Sequence, residues 1–200
     1  MSAPVIDARP KGLAIFLILA GVIGWIAAFA LTLDKFQLLQ DPDAQLGCNL
    51  SILVQCGVNL NSWQGAILGF PNPLIGLSAW IAPIAVGIAI LAGARFARWF
   101  WIAFNVGLLG ALGFVIWLIS QSIFVLGTLC PWCMVTWVVT IPTFYLVILH
   151  VLRTGIVPAP CAIRKGADGL MSWVPLLAVG SYAIIAIVAQ LRWDILGSLF

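Results

Sequence analysis

Residues 129–151 read LCPWCMVTWVVTIPTFYLVILHV, an uncharged apolar run that opens on Cys130-Pro131-Trp132-Cys133. A bilayer core of about 30 Å takes roughly 20 helical residues to cross, so this run is long enough to span it as a helix. Pro131 suits a helix start, because the amide hydrogen it lacks has no partner in the first turn. Cys130 falls just before that turn and Cys133 within it. Their i, i+3 separation keeps both sulfurs on one helix face, within disulfide reach. Such a pair can cycle between dithiol and disulfide, because attack by one sulfur is followed by resolution by its neighbour. The stretch therefore reads as a membrane helix with redox chemistry at one end.

Four more runs have the same character, near residues 12–33, 74–93, 99–120 and 171–190, and none carries an internal charge. The 200-residue chain is 64% hydrophobic and 8% charged, with a mean hydropathy of +1.17. No soluble domain of this size hides so much apolar surface, so lipid is its solvent. The expectation is an all-α, polytopic membrane protein forming one integral membrane domain over residues 1–200. Its core would occupy about 12–151, with a further C-terminal helix at about 171–190. Pro83, Pro142 and Pro175 fall inside these runs, as membrane helices tolerate. The chain has no Glu, and His150 is its only histidine. Catalytic triads, paired-carboxylate catalysis and histidine zinc sites therefore lack their parts. The net charge of +3 is scattered, and no basic cluster points to nucleic acid.

Basic residues set the expected orientation. With the N-terminus cytoplasmic, Arg9, Lys11, Arg95, Arg98, Arg153, Arg164 and Lys165 share the inner side, leaving Lys35 and Arg192 outside. That asymmetry favours N-in, C-out in the cell membrane. Ala28-Phe29-Ala30 resembles a signal-peptidase site, yet the apolar run exceeds a usual signal core, so a retained first helix is expected. The same topology puts Cys48, Cys56, Cys130 and Cys133 on the extracytoplasmic side, where disulfides persist. Cys161 falls on the inner side as an ordinary thiol, and His150 is given a structural role at the inner end of its span.

The longest connection, residues 34–73, opens polar (Asp34, Asp41, Asp43) and turns apolar through 52–54 and 63–70. The apolar part is too short to cross and too greasy for a free loop, so it reads as an interfacial helix or lid. Within it, Cys48 and Cys56 have two readings. They form a structural disulfide worth roughly 2.5 kcal/mol, or a second redox pair that exchanges with the first. Four cysteines could also ligate zinc or an iron–sulfur cluster, but such sites pair closely spaced cysteines and Cys48-x7-Cys56 is too open. In the CxxC, Cys130 is nearer water and suits an incoming thiol. Cys133, about one turn deeper, suits a lipid-soluble acceptor.

Taken in order, Cys48-x7-Cys56, Asn61-Ser62, the Gly69-Phe-Pro-Asn-Pro-Leu-Ile-Gly76 segment and Cys130-Pro-Trp-Cys133 resemble the vitamin K epoxide reductase family. The likeness is greatest to bacterial homologues that oxidise thiols with a quinone, and it spans about residues 12–150. The resemblance implies a four-helix core around a membrane quinone (menaquinone or ubiquinone), capped by a lid from the first loop, with the fifth helix an addition. It also implies a separate extracytoplasmic thioredoxin-like or DsbA-like partner, since the chain ends without the fused thioredoxin-like domain of many relatives.

Residue by residue, the resemblance makes Cys48 and Cys56 a shuttle pair, with Cys56 attacking Cys130. It makes Cys133 the cysteine that meets the quinone, and Asn72 a donor to a quinone carbonyl. Asn72 also suits the N-cap of the second span. Trp137, one turn after Cys133, stands where many relatives have a tyrosine, and its indole N–H is a candidate second donor. Ser62 is the remaining candidate cofactor contact, and Gln64 replaces the aromatic expected two residues after it. The implied activity is that of a membrane thiol:quinone oxidoreductase that generates disulfides. The alternatives are a vitamin K epoxide or quinone reductase using the same residues, and a non-enzymatic cysteine-ligated metal-binding or transport protein.

Overall fold

The computed structural model describes residues 10–193. Five of its helical segments are long and apolar enough to cross a membrane. The first is α1, Lys11–Gln40, followed by a cap built from short α2, Gly57–Asn61, and a tight turn at Trp63–Ala66. The second span is two pieces, α3 (Asn72–Ala79) and α4 (Ile81–Leu91), and the third is α5, Arg98–Gln121. Then come α6 (Pro131–Arg153), α7 (Cys161–Met171) and the last span, α8 (Val174–Trp193). Among the described residues the only extended pairing is an isolated parallel bridge between Val54 and Leu129.

Several boundaries differ from those expected from sequence. Where a first span over 12–33 was expected, α1 continues about two turns further, so Asp34 and Lys35 are helical rather than loop residues. The second span, expected as a continuous 74–93, breaks at Trp80. Pro83 supplies no amide hydrogen to the carbonyl four residues earlier, and its ring crowds that carbonyl. The third span, expected over 99–120, runs on through a single wide turn at Ser122–Leu126 that ends at Gly127, whose φ of 69° is the left-handed region that glycine tolerates best. The fifth span, expected at 171–190, begins at Val174, because Met171 closes the separate helix α7.

Central to the bundle is α1, packed against α3, α4 and α6. Lipid tails are as apolar as the side chains, so close van der Waals contact, rather than water exclusion, must hold such helices together. Small residues provide it. A Cβ on Gly24 would overlap the Trp80 indole, and one on Gly87 would lie 2.6 Å from the Ala14 carbonyl oxygen. Two buried clusters mark the two ends. One gathers Ala14, Leu17, Val86, Ile90, Trp101 and Val151. The other gathers Leu31, Leu38, Leu46, Leu60 and three cysteines, Cys48, Cys56 and Cys130. His150 is buried at the first end with its ring 5.2 Å from that of Trp101. Lipid-facing positions such as Leu19, Ile26, Val106, Ile116 and Ile184 are exposed and apolar.

Candidate active site

The loop after α1 is folded tightly on itself before it reaches the cysteines. Leu50 and Ser51 donate their amides to the Val54 carbonyl, and Val54 donates to Ser51 Oγ. Asn49 Oδ1 accepts from the amides of Cys56 (3.0 Å) and Gly57 (3.3 Å), satisfying donors that the start of α2 leaves open. Cys48 and Cys56 are joined as a disulfide across this turn.

The loop is then stitched to the approach of α6. Gln55 donates its amide to the Leu129 carbonyl (2.9 Å), and Leu129 donates to that of Leu53 (2.8 Å). Since Leu129 immediately precedes Cys130, this bridge fixes the loop cysteines against the CxxC. Cys56 and Cys130 are both fully buried, with their sulfurs 3.4 Å apart. Cys130 is the N-cap of α6, and its sulfur accepts from the Cys133 amide at 3.4 Å. Cys130 and Cys133 are both free thiols, Cys133 only half-buried. Cys161 is exposed at the start of α7, away from the other four.

Beneath the loop lies a cavity of about 210 Å³. One wall is α1 with α3 and α4, the other α5 and α6, and residues 59–65 roof it. Cys133 lines it, so one sulfur of the CxxC faces the Cys56 side and the other the cavity. Asn72, Ser62 and Trp137 line it as well. Trp137 is buried, and its indole N–H has no acceptor among the described residues.

The roof is held by polar side chains. Asn59 donates to Thr128 Oγ1 (2.9 Å) and accepts from Ser122 Oγ (3.2 Å), and Gln64 donates to Gln121 Oε1 (3.3 Å). Ser62 Oγ accepts from the Gly65 amide and donates to the Asn59 carbonyl, turning the chain between α2 and the next turn. Asn72 donates to the Gln64 carbonyl at 2.6 Å and accepts from the Ile67 amide at 3.1 Å. It makes no cap hydrogen bond to α3, whose N-cap is Pro71. Asn72 therefore fastens the roof to the second span while standing at the cavity wall.

The family model for the vitamin K epoxide reductase family matches residues 15–148. The chain belongs to that family. A comparison with curated proteins gave no match. Membership makes this a multi-pass membrane protein and a redox enzyme of the family that couples cysteine pairs to quinones. The loop disulfide, the CxxC thiols and the cavity all lie in or between elements within the matched segment, whereas α7 and α8 lie beyond it.

A quinone has an apolar ring and two carbonyl oxygens that accept hydrogen bonds. The residues present fit it, since the cavity walls are largely apolar and the buried Trp137 N–H lacks an acceptor among the described residues. Outside the matched segment, α8 backs this wall. Ala189 is buried against Trp137, Val115 and Ile119, and Trp193 Nε1 donates to the Ile123 carbonyl at 3.1 Å in the wide turn after α5.

Sequence reasoning brought the four cysteines to one face of the membrane, but the contact between Cys56 and Cys130 depends on the Val54–Leu129 bridge, which carries no local signal. It also passed over Asp34 as a site residue. The carboxylate Oδ2 of Asp34 lies 3.3 Å from Cys48 Sγ. The only advance signal was an acidic residue at the end of an apolar run.

Proposed function

We propose that this protein is a membrane thiol:quinone oxidoreductase that generates disulfides. Electrons would come from an extracytoplasmic thioredoxin-like or DsbA-like protein, pass through Cys48/Cys56 to Cys130/Cys133, and leave to a quinone of the membrane pool. The observation that carries this reading is the ordered row of sulfurs, with Cys56 3.4 Å from Cys130 and Cys133 at the cavity wall. Exchange between thiols and disulfides needs direct sulfur contact, and the Cys56–Cys130 approach supports it between the loop pair and the CxxC.

The steps on this chain's residues follow from that order. A partner thiolate opens the Cys48–Cys56 disulfide, and Cys56 leaves as a thiolate. Cys56 attacks Cys130 of a Cys130–Cys133 disulfide, forming a transient Cys56–Cys130 bridge and releasing Cys133. The partner's second thiolate displaces Cys48, and the partner leaves as a disulfide. Cys48 then attacks Cys56, which restores the loop disulfide and frees Cys130 as a thiolate. A closed Cys48–Cys56 disulfide beside thiols at 130 and 133 corresponds to the stage at which both electrons have moved inward. A quinone bound in the cavity supplies a two-electron sink for the inner pair. Trp137 would donate to a carbonyl oxygen, and Asn72 and Ser62 would hold the roof that excludes water.

Orientation follows from charge. Lys11, Arg98 and Arg153 lie at helix ends opposite the cysteine cluster, supporting a cytoplasmic N-terminus and extracytoplasmic thiols.

The test is dithiol-driven quinone reduction by the purified protein, with wild type compared to Cys133→Ala. The proposal expects wild-type turnover and its loss in the variant. Equal activity in both would remove Cys133 from the electron path, and no activity in folded wild type would refute the assignment.

A further inference from the structure

The relay described above moves electrons through three buried sulfurs, which leaves their protons unassigned. Cys48 is 7% exposed, and Cys56 and Cys130 are 0% exposed. Only a thiolate attacks a disulfide, so Cys48 must lose its proton before it can displace Cys130 from Cys56. Bare thiolate formation in a buried site is costly unless a neighbouring group takes the proton.

One side chain stands at that atom. Asp34 Oδ2 lies 3.3 Å from Cys48 Sγ, and Asp34, Cys48 and Cys56 place their oxygen and sulfur atoms within 4.8 Å of one another. Three such groups would suit a metal ion if the sulfurs were free, but the disulfide occupies both. A closed disulfide also has no hydrogen to donate. A hydrogen bond across the 3.3 Å contact therefore needs its proton on the carboxyl group in this state, and on Cys48 sulfur once the disulfide is open.

The other charged groups nearby are turned to different tasks. Lys35 Nζ donates to the Leu60 carbonyl (2.9 Å) and to Asn61 Oδ1 (3.1 Å), closing the end of α2. Asp41 and Asp43 are exposed, with Asp41 Oδ1 accepting the Asp43 amide.

We propose that Asp34 is the proton carrier of the loop disulfide, taking the proton of Cys48 as that thiol resolves the Cys56–Cys130 bridge and returning it when Cys48 is next released. The inference rests on the thiol relay of the preceding section. In the resolving step the Cys48 proton moves to Asp34 Oδ2, and the Cys48 thiolate forms a bond to Cys56 Sγ. The Cys56–Cys130 bond breaks, and its electron pair leaves on Cys130 as thiolate. In the reopening step a partner thiolate bonds to Cys48 and Cys56 leaves as thiolate. The partner's second thiolate then attacks its own sulfur, releasing Cys48 as thiolate, which takes the proton back from Asp34. The partner dithiol supplies the two electrons and ends as a disulfide.

The test uses the full chain in lipid with a thioredoxin-like dithiol protein as donor. It compares wild type, Asp34→Asn and Asp34→Glu, with acid quenching and disulfide mapping during turnover. A positioned acid–base group contributes about 10²-fold or more, so Asp34→Asn is expected to slow donor-driven turnover about a hundredfold. The Cys56–Cys130 bridge should accumulate in it, with Cys48 open to alkylation. Asp34→Glu, which keeps the carboxyl group, should run close to wild type without the bridge.

Quinone reduction by a small dithiol in a Cys48→Ser/Cys56→Ser background bypasses the loop and should be indifferent to Asp34, which also checks that each variant folds. If Asp34→Asn does not fold, Asp34→Ser carries the same expectation. Wild-type rate without accumulated bridge in a folded Asp34→Asn or Asp34→Ser would overturn the proposal. Absence of quinone reduction in wild type with every dithiol would instead overturn the relay, and the proton carrier with it.

Discussion

Replacing Trp137 by Phe should separate quinone binding from fold stability, with opposite tendencies in the two. The indole N–H is buried and has no acceptor among the described residues. A buried donor without a partner costs about 1–3 kcal/mol, and the substitution removes that cost. Against it, the phenyl ring leaves out part of the indole volume beside Ala189, Val115 and Ile119. At about 24 cal/mol per Å³ of residual space, this amounts to on the order of 1 kcal/mol. The two effects nearly cancel or favour the variant, so its melting temperature without quinone should be unchanged or slightly raised.

Quinone binding should move the other way. A carbonyl oxygen that loses its donor forfeits about 1–1.5 kcal/mol, and 1.4 kcal/mol is about tenfold in affinity. Steady-state kinetics with a soluble quinone should therefore show KM raised about tenfold. Formation of the Cys56–Cys130 bridge, measured by rapid quench without quinone, should be unaffected. An unchanged quinone KM together with a clear loss of thermal stability would refute the reasoning, because the indole would then be packing alone.

Three other outcomes follow from particular contacts. Asn49→Ala removes the acceptor shared by the Cys56 and Gly57 amides. It should cost about 1 kcal/mol, seen as faster hydrogen exchange over residues 56–61. Gly87→Ala sets a methyl group against the Ala14 carbonyl oxygen, which is helix backbone and cannot turn aside. The overlap should destabilise the bundle by about 1–3 kcal/mol, read by thermal unfolding in detergent. For topology, a Leu50→Cys probe in the exposed loop should react with a membrane-impermeant maleimide only from outside, and exposed Cys161 only from the cytoplasm. The reverse pattern would invert the proposed orientation.

The spans were legible because each is an uncharged run of bilayer length, and α6 announced itself through a proline after its first cysteine. The break at Trp80 follows from Pro83, but a proline inside a membrane helix more often bends than breaks it, so the sequence reading kept one span. Helix α7 carries a helical pattern, with Ile163, Ala167 and Leu170 recurring at helical spacing against Arg164, Lys165 and Asp168, that is too short and too charged to stand out as a span. Gln64 stands in the sequence only as a missing aromatic, yet it fills a buried place in the roof and bonds Gln121, a partner 57 residues away. Asp34 looks like the polar opening of a loop, because nothing local indicates that α1 continues past it to Gln40 or that Cys48 folds back onto it. What escaped the sequence is thus contact between distant segments, fixed by backbone pairing and side-chain amides rather than by periodicity.

The most direct test of the relay is a time-resolved single turnover: fully reduced protein is mixed with one equivalent of quinone, quenched with acid, and its disulfides mapped. The account predicts that Cys130–Cys133 forms first, Cys56–Cys130 appears transiently, and Cys48–Cys56 accumulates last. Appearance of Cys48–Cys56 before any Cys130–Cys133, or oxidation that proceeds without Cys133, would contradict it.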